Sequence, residues 1–409
     1  MYRPLAFLSF WADYRIFGDK LWGYHLQSIG LHIINSFLVG TLATRVGFSA
    51  PASRAAALIF GVSAINFEAV LWPAARFDLL AAAFALLSSL LFLAHWQSHN
   101  ARARYFGIFS LLAYVLGVLN KETVYSLVLL LPALVVFFPR INPSSAPRRR
   151  AVPFLIALLC CTVALIAVRL LVFGNLGGYG YAGPQSGSSA VSVKSFYSLI
   201  VNSLSLPVFA INTTHTPVIA GLIVLAWLCV LIVWAVSYAG PRSTAGRALA
   251  VFAVMSAVPA ISVIGWIHPS LQHARYLYWP SVWTAMLLAL ALQWTSRRAL
   301  VTFALLLVQA AGLSYNLWMY RDMFTRADLC SRQVRDAVLS SGRTQSPEIQ
   351  LVGVPEDPNG VLFFRSELDE NIRKQVSGAA VRHCSTSESC TGQGIIRFQW
   401  DARSRSLVP

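Results

Sequence analysis

Residues 151–173 read AVPFLIALLCCTVALIAVRLLVF and contain one charged side chain, Arg169. A helix that crosses a lipid bilayer needs about 20 mainly apolar residues. The length and composition of this stretch therefore predict a membrane-spanning helix.

The same pattern recurs over the first three quarters of the chain. Ten stretches of this kind are separated by loops that carry charged or turn-forming residues. The predicted spans are 22–43, 55–73, 78–95, 105–120, 123–139, 151–173, 217–238, 248–267, 276–294 and 299–318. A further stretch, 195–212, is interrupted by Pro207 and is either an additional helix or an interfacial or re-entrant one. The predicted fold class is an all-α polytopic membrane protein with about ten transmembrane helices.

The composition of the whole chain supports the membrane class. Of the 409 residues, 56% are hydrophobic and 12% are charged, and that charged fraction is about half the average for a soluble domain. The net charge of +16 would also suit a nucleic-acid-binding protein. The basic residues, however, fall between apolar runs, as they do in cytoplasmic loops. We therefore expect membrane lipid, and no nucleic acid, as a partner.

Basic residues also predict the orientation of the spans. Every second loop carries arginine without an acidic residue, which is typical of the cytoplasmic side. These loops contain Arg45, Arg54, Arg102, Arg104, Arg140, Arg148, Arg149, Arg150, Arg242, Arg247, Arg297 and Arg298. With ten spans, both termini then face outward. We predict a multi-pass protein of the cell (inner) membrane whose C-terminal region is periplasmic or extracellular.

Acidic residues are distributed unevenly, and only five of the 16 precede Asp322. This change in composition predicts a transmembrane domain, 1–319, and a soluble extracytoplasmic domain, 320–409. The five acids of the membrane region all fall on the predicted outer side; they are Asp13, Asp19, Glu68, Asp78 and Glu122. Ionisable groups at membrane depth are costly and usually functional. Their placement suggests a polar cavity that opens outward, and the alternative is a set of structural ion pairs, such as Glu68 with Arg76 or Asp78 with Lys121.

The tail has the pattern of a small α/β domain. Apolar residues have helical spacing over 327–340, and 361–374 is a second candidate helix. Three stretches are typical of strands, namely 348–354, 379–382 and 395–400. The tail contains no nucleotide-binding glycine loop and no metal-ligand or Ser/His/Asp pattern. We expect a docking or structural module.

Cysteines are few, and three of the six lie in the tail. If the tail faces an oxidising compartment, Cys384 and Cys390 could pair and leave Cys330 over. The alternative is three free thiols.

Four short stretches on the predicted outer side stand out. His25 and His32, which belong to the first of them, are seven residues apart on one helix face. An interhelical hydrogen bond is more typical of such a pair than metal ligation. The stretches are 2–5 (YRPL) with a following helix that carries His25, His32 and Asn35; 66–72 (NFEAVLW) with 75–80 (ARFDLL); 120–122 (NKE); and 273–281 (HARYLYWPS).

In this order, the stretches resemble the GT-C superfamily of membrane glycosyltransferases. The similarity is to the branch of protein O-mannosyltransferases that in some members carry tetratricopeptide repeats, and it covers about residues 1–295. It implies transfer of a sugar from a polyprenyl-phosphate carrier to a protein, lipid or glycan acceptor on the outer face. A divalent metal is a possible cofactor of such chemistry, although no metal spacing appears in the sequence.

The resemblance also implies which residues act. A leaving polyprenyl phosphate needs positive charge nearby, and an acceptor hydroxyl needs a carboxylate within hydrogen-bond reach. The catalytic candidates are Asp13, Asp19 and Glu68. The substrate-binding candidates are Arg3, His25, Arg76, Asp78, Lys121, Glu122, Arg169, Arg275, Tyr276 and Tyr278. An interfacial aromatic belt explains the two tyrosines equally well.

The sequence departs from the family pattern in three places. A spanning helix and an acidic motif normally precede the YRPL stretch, which begins here at residue 2. Either the chain starts late, or Asp13 or Asp19 substitutes for the acid, or the protein is inactive. Ser63 and Ala64 stand where a His-Pro pair is usual, and Ala75 stands where a glycine is usual.

Two other functions are compatible with the sequence. One is a catalytically inactive GT-C-like scaffold, and the other is a membrane transporter. A transporter would favour internal repeats or broken helices in matching positions of its two halves, and no clear repeat appears here.

Overall fold

The computed structural model describes residues 3–18, 20–98, 103–138, 147–173, 193–207, 241–261, 273–293, 298–341, 348–354, 364–384, 396–401 and 406–408, with the single residues 210, 267 and 271. The described residues pack into two compact units, and the main division falls between Leu313 and Ser314. Each unit has its own buried core.

The first unit is helical. Its described helices are α1 (Pro4–Phe17), α2 (Leu21–Arg45), α3 (Ala50–Val62), α4 (Phe67–Leu71), α5 (Arg76–Gln97), α6 (Ala103–Val118), α7 (Leu127–Phe137), α8 (Pro147–Phe173), α9 (Val193–Ser205), α10 (Pro241–Ala257), α11 (Tyr278–Gln293) and α12 (Arg298–Ser340). Short 3-10 turns also occur at Ala64–Asn66, Pro73–Ala75, Glu122–Ser126, Val258–Ala260 and Ala274–Leu277. The last helix, α12, continues into the second unit, so the change in composition near residue 320 falls inside a helix.

Several of these helices are long and apolar enough to cross a membrane. Four described segments meet this description: Trp22–Arg45, Pro73–Gln97, Ala151–Val172 and Ala299–Ser340. A fifth is formed if α3 and Ala64–Leu71, which are bent by 43°, are taken as one span. Shorter apolar helices lie at Ala103–Val118, Glu122–Phe137 and Ala245–Ala260. The chain is thus a helical membrane-type protein, while the count of ten spans stays a prediction and 217–238 lies outside the described residues.

A break after α3 turns the chain toward the charged residues. Ser63 is extended, with φ −62° and ψ 120°, between the end of α3 and the next helical turn. The Asn66 side-chain amide donates a hydrogen bond to the Phe60 carbonyl oxygen at 2.9 Å. The same oxygen accepts from the Ser63 backbone N–H at 3.3 Å, so two donors cap the last turn of α3. Ser281 of α11 donates to the Asn66 side-chain oxygen at 3.0 Å, so the break is anchored to a distant helix.

A second break precedes α5. Trp72 is extended ahead of Pro73, because the proline ring excludes the helical conformation from the residue before it. Glu68 lies on the short helix between the two breaks, and Asp78 lies in the first turn of α5. The broken backbone therefore brings two acidic side chains to the end of the helices rather than to their middle.

Small residues allow the helices of this unit to approach closely. Ser88 of α5 and Ser110 of α6 each donate to the carbonyl oxygen of the other, at 2.9 and 2.8 Å. On α2, a Cβ atom added at Gly40 would lie 3.1 Å from Ala57 Cβ and 3.2 Å from the Ser53 carbonyl oxygen of α3. Such contacts between small residues are typical of helix packing in membranes.

The second unit contains a four-stranded sheet packed against helices. Its further elements are β1 (Glu348–Val352), α13 (Phe364–Gln375), β2 (Ala380–Cys384), β3 (Ile396–Asp401) and β4 (Ser406–Val408). The strand order is β2-β1-β3-β4; β1 is parallel to both of its neighbours, and β4 is antiparallel to β3. The predicted second helix and three strands of the tail are confirmed, whereas β4 was not predicted.

The cysteines of the second unit differ in state. Cys384 at the end of β2 is disulfide-bonded, and its partner falls outside the described residues. Cys330 of α12 is a free thiol that is 1% exposed. It packs in a core with apolar side chains of α12, α13 and the sheet, including Val334, Leu351, Leu368 and Phe398.

Candidate functional site

Glu68 and Arg275 form a buried ion pair between α4 and the turn that precedes α11. Arg275 Nη1 lies 2.5 Å from Glu68 Oε1, and the Arg275 backbone N–H donates to Oε2 at 2.9 Å. The guanidinium also packs over the ring of Trp72, 4.6 Å from its centroid. Both Glu68 oxygens are therefore engaged. The partner of Glu68 is Arg275, and the alternative pairing with Arg76 was wrong.

Lys121 and Asp78 form a second buried pair, as the sequence suggested. Lys121 Nζ contacts Asp78 Oδ1, and the two side chains are 1% and 5% exposed. The ammonium lies 5.2 Å from the ring centroid of Phe77 and 4.7 Å from that of Tyr276. Among the described residues, Asp78 Oδ2 has no hydrogen-bond partner. Asp78 thus keeps one carboxylate oxygen for a further donor.

Arg76 and Asp13 form a third pair, in which both side chains are fully buried. Arg76 Nη2 donates to the Tyr24 carbonyl oxygen at 2.9 Å, and Nη1 donates to Gln27 Oε1 at 3.4 Å. The guanidinium lies 4.7 Å from the ring centroid of Phe10. Because these partners come from α1 and α2, Arg76 fastens both helices to the start of α5.

Glu122 lies between two arginines at longer distances. Its oxygens are 3.6 Å from Arg3 Nη2 and 3.9 Å from Arg169 Nη2. Arg3 is 5% exposed, and its guanidinium lies 3.8 Å from the ring centroid of Phe77. In the part of the chain that the structure describes, Arg3 Nε, Nη1 and Nη2 have no hydrogen-bond partner. A buried guanidinium with unused donors is suited to an anionic ligand.

Aromatic rings connect these groups. Phe77 lies beneath both Arg3 and Lys121, and Tyr276 lies beneath both Lys121 and Arg275. The Arg76–Asp13 pair adjoins these groups along the chain, because Arg76 directly precedes Phe77. We call the whole set the charged cluster; its members are Arg3, Asp13, Glu68, Arg76, Asp78, Lys121, Glu122, Arg169 and Arg275. With five cations and four carboxylates, the charged cluster carries a net charge of +1 when every group is ionised.

The remaining predicted residues are placed differently. Asp19 lies outside the described residues. His25 is partly exposed on α2, and Tyr276 is buried within the charged cluster at 3% exposure. Tyr278, which was grouped with Tyr276 as a substrate-binding or interfacial side chain, is buried at 1% exposure in a separate hydrogen-bonded network.

That network joins α2 to α11. His32 Nε2 lies 3.0 Å from the Gly61 carbonyl oxygen, and Nδ1 lies 2.8 Å from the Tyr278 hydroxyl. Since a carbonyl oxygen only accepts, Nε2 carries the proton and Nδ1 accepts from Tyr278. Asn35 donates to the same hydroxyl at 3.0 Å and to the Leu79 carbonyl oxygen at 3.0 Å. The interhelical hydrogen bond that the sequence favoured is thus confirmed for His32.

Replacing Tyr278 with phenylalanine is expected to destabilise the chain by about 1–3 kcal/mol. The change leaves His32 Nδ1 and one Asn35 N–H buried without a partner, and such orphaned groups carry a penalty of about this size. Thermal unfolding in detergent micelles measures the effect. Tyr105→Phe, at an exposed tyrosine of α6, is the matched control; equal stability of the two variants would contradict the proposed network.

Several residues of the site were missed by the sequence analysis. The rings of Phe10, Phe77 and Trp72 support four of the cations. Gln309 accepts from the Ala64 backbone N–H at 3.1 Å and thereby holds the break after α3. Gln309 could have been identified as a polar side chain within an apolar stretch. The alternation of charged and aromatic residues over 76–78 is too short a pattern to predict contacts between rings and cations.

His273 precedes the turn that carries Arg275. Its backbone is left-handed, with φ 67°, which non-glycine residues rarely adopt. Burial, together with the nearby Arg275 charge, lowers the pKa of His273 from 6.5 to about 4. His273 is therefore neutral at pH 7.

Acidification should destabilise the chain partly through His273. The folded-state pKa is below the unfolded value, so the unfolded chain takes up the proton first as pH falls from 6.5 toward 4. The unfolding temperature should therefore decline over this window, and less steeply in His273→Asn, because asparagine tolerates the left-handed backbone and does not titrate. Parallel slopes of unfolding temperature against pH in both proteins would refute this role.

The described residues of the two units form no evident metal site. No group of three or more His, Cys, Asp and Glu side chains there could hold a metal ion. The acids of the charged cluster are instead matched with arginine and lysine.

Comparisons with known proteins show a similarity over about half of the chain. The chain is 28% identical to the protein O-mannosyl-transferase Tmtc2 of Drosophila melanogaster over 225 residues, which are 53% of this chain and 23% of that protein. Over about half of its length, the chain is thus similar to a protein that is named an O-mannosyl-transferase. It spans about a quarter of the length of this curated relative. No family model matches the chain, and no solved structure matches it.

Proposed function

We propose that the chain transfers a sugar from a polyprenyl-phosphate carrier to an acceptor at the outer face of the membrane, as GT-C glycosyltransferases do. The observation that carries this proposal is the charged cluster, in which five cations lie at the ends of apolar helices. In the reaction, the acceptor hydroxyl oxygen bonds to the sugar's anomeric carbon while the bond from that carbon to the phosphate oxygen breaks. The phosphate leaves with the electron pair, and the acceptor proton passes to a carboxylate.

Arg3 is the group that best fits the leaving phosphate. It is buried, its nitrogen atoms have no hydrogen-bond partner among the described residues, and its ion-pair contact with Glu122 is 3.6 Å long. A guanidinium offers five N–H donors in a planar fork that matches phosphate oxygens. Arg169, 18% exposed on the other side of Glu122, supplies a second positive charge. Together they would stabilise the charge that develops on the phosphate.

Asp78 is better suited than Glu68 to accept the proton. Both oxygens of Glu68 bind Arg275, whereas Asp78 Oδ2 is without a hydrogen-bond partner in the described residues. Asp78 also follows Phe77, the ring on which Arg3 lies. Asp13 has a similarly open oxygen, but it is fully buried against Arg76.

The outer-face direction has support from the second unit. Disulfides persist in oxidising compartments and are rare in the cytosol, and Cys384 is disulfide-bonded. A periplasmic or extracellular C-terminal domain is consistent with this bond. The same side follows from the arginine-rich loops, which favour the cytoplasm.

Transfer assays in proteoliposomes test the proposal. The full-length gene product would be reconstituted with polyprenyl-phosphate donors that carry different labelled sugars, and with peptide, lipid and glycan acceptors. Because the Drosophila relative is named a protein O-mannosyl-transferase, mannose transfer to a peptide is the expected positive arm. A correctly folded protein that transfers no sugar with any donor would overturn the enzymatic proposal in favour of an inactive scaffold.

A further inference from the structure

Two cavities flank α3 at the end of the helices that is remote from the charged cluster. The first, of about 620 Å³, lies between α2 and α3. The second, of about 430 Å³, lies between α3 and the helices α11 and α12. Arg54 and Leu58 line both cavities, so the two spaces adjoin along one side of α3.

The polar end of these cavities is basic. Arg45, in the last turn of α2, lines the first cavity together with Arg54. Both side chains are exposed, and within the described residues neither lies in an ion pair with a carboxylate. Two uncompensated guanidinium groups at the mouth of a groove match an anionic group.

Ser53 supplies a further donor inside the first cavity. It is 4% exposed and lines the cavity, yet its hydroxyl has no hydrogen-bond partner in the part of the chain that the structure describes. Buried hydroxyl groups are normally hydrogen-bonded. A ligand oxygen at the N-terminal turn of α3 would satisfy this hydroxyl and lie near Arg54, the next residue.

The rest of the groove is lined mainly by apolar residues and extends through most of one membrane leaflet. Phe37 and Leu58 line it and are 71% and 53% exposed. Phe37 precedes Arg45 by eight residues, or about 12 Å of helix, and half of the hydrocarbon core is about 15 Å thick. An acyl chain that descends from Arg45 would therefore follow the groove through most of its leaflet.

We infer that this groove binds an anionic phospholipid, with its phosphate at Arg45, Arg54 and Ser53 and one acyl chain on each side of α3. Arginine pockets between membrane helices on the cytoplasmic side are suited to such headgroups. The site is distinct from the charged cluster, because Tyr24, which contacts Arg76 there, and Arg45 are separated by about 30 Å of helix α2.

Native mass spectrometry of the full chain in detergent tests this inference, with dioleoyl phosphatidylglycerol and dioleoyl phosphatidylcholine as probes. We expect tighter retention of phosphatidylglycerol. The double variant Arg45→Gln/Arg54→Gln should weaken its binding by about 25-fold, or about fivefold for each arginine. Thr41→Trp, which leaves both arginines in place and fills the groove, should also reduce retention.

Arg104→Gln is the matched control, since Arg104 is an exposed arginine in the first turn of α6, away from the groove, and this variant should retain phosphatidylglycerol like the unmodified chain. Equal retention of the two phospholipids would overturn the inference, as would equal losses in the control and the double variant. Preferential binding of polyprenyl phosphate over phosphatidylglycerol, with the same dependence on Arg45 and Arg54, would also overturn it and assign the groove to the carrier lipid. If the double variant fails to fold, Ser53→Ala and Thr41→Trp decide the question, and unchanged retention in both contradicts the inference.

Discussion

Replacing Glu68 with glutamine is expected to lower the free energy of unfolding by about 3–5 kcal/mol, because it leaves a buried arginine charge uncompensated. Arg275 directs both its backbone N–H and its guanidinium at this carboxylate. The pair joins positions 207 residues apart, so its loss loosens the packing of α4 against the turn before α11. Chemical or thermal unfolding in detergent micelles measures the change.

Glu122→Gln provides the control for this prediction. Glu122 has the same charge, but its contacts are longer, at 3.6 and 3.9 Å, and it is 12% exposed. Its replacement should be clearly less destabilising than that of Glu68. A double variant, Glu68→Gln/Arg275→Met, should recover part of the lost stability because it also removes the stranded charge. Glu68→Gln with unchanged stability would show that the pair does not hold this region.

Replacing Arg3 with alanine is expected to slow sugar transfer by about 10²–10³-fold, the usual effect of losing one donor to a developing negative charge. This prediction rests on the proposed function. Arg3→Lys should recover part of the rate, since lysine keeps the charge but loses the planar fork. Initial rates in proteoliposomes at saturating donor measure the loss.

Arg15→Ala is the matched control for Arg3→Ala. Arg15 is exposed in the last turn of the same helix, α1, and does not belong to the charged cluster. Its replacement should leave transfer unchanged. If Arg3→Ala keeps more than about a tenth of the rate while the proteins fold equally well, Arg3 is not the phosphate ligand. Both variants should unfold at similar temperatures, because Glu122 retains Arg169 as a partner.

The sequence predicted helices well where the deciding interaction is with lipid. An apolar run such as 151–173 predicts a helix without knowledge of the rest of the fold, because burial in hydrocarbon depends on local composition. The breaks at Ser63 and Trp72 were not predicted, although Pro73 alone indicates the second. The first depends on hydrogen bonds of Asn66 to Ser281 and of Gln309 to Ala64, which form only after distant helices have packed.

The sequence predicted which residues belong to the charged cluster better than it predicted which of them form ion pairs. The placement of the acids on one predicted side of the membrane identified Glu68 and Asp78 as site residues. The ion pair of Asp78 with Lys121 was also among the expected ones. Glu68 was matched with the wrong arginine, because sequence proximity to Arg76 says nothing about a residue 207 positions away. Tyr278 looked like an interfacial tyrosine, and only the approach of α2 to α11 reveals its buried partners.

In the tail, the length of an element limits what the sequence can predict. Alternation and turn residues were sufficient for β1, β2 and β3, and helical spacing was sufficient for 327–340. β4 is three residues long, which is too short for a periodic pattern, and it exists because its backbone pairs with β3. The change in composition near residue 320 lies close to the division between Leu313 and Ser314, but the helix itself gives no sign of it, since α12 runs from Arg298 to Ser340 without a break.

The free thiol of Cys330 has a consequence for how the second unit matures. A chain that forms a disulfide at Cys384 while carrying an unpaired Cys330 is open to thiol–disulfide exchange until the thiol becomes inaccessible. In the folded unit Cys330 is 1% exposed beneath the sheet, so core formation removes it from the exchange reaction. Packing of α12 against the sheet therefore protects the disulfide of Cys384 from exchange with this thiol.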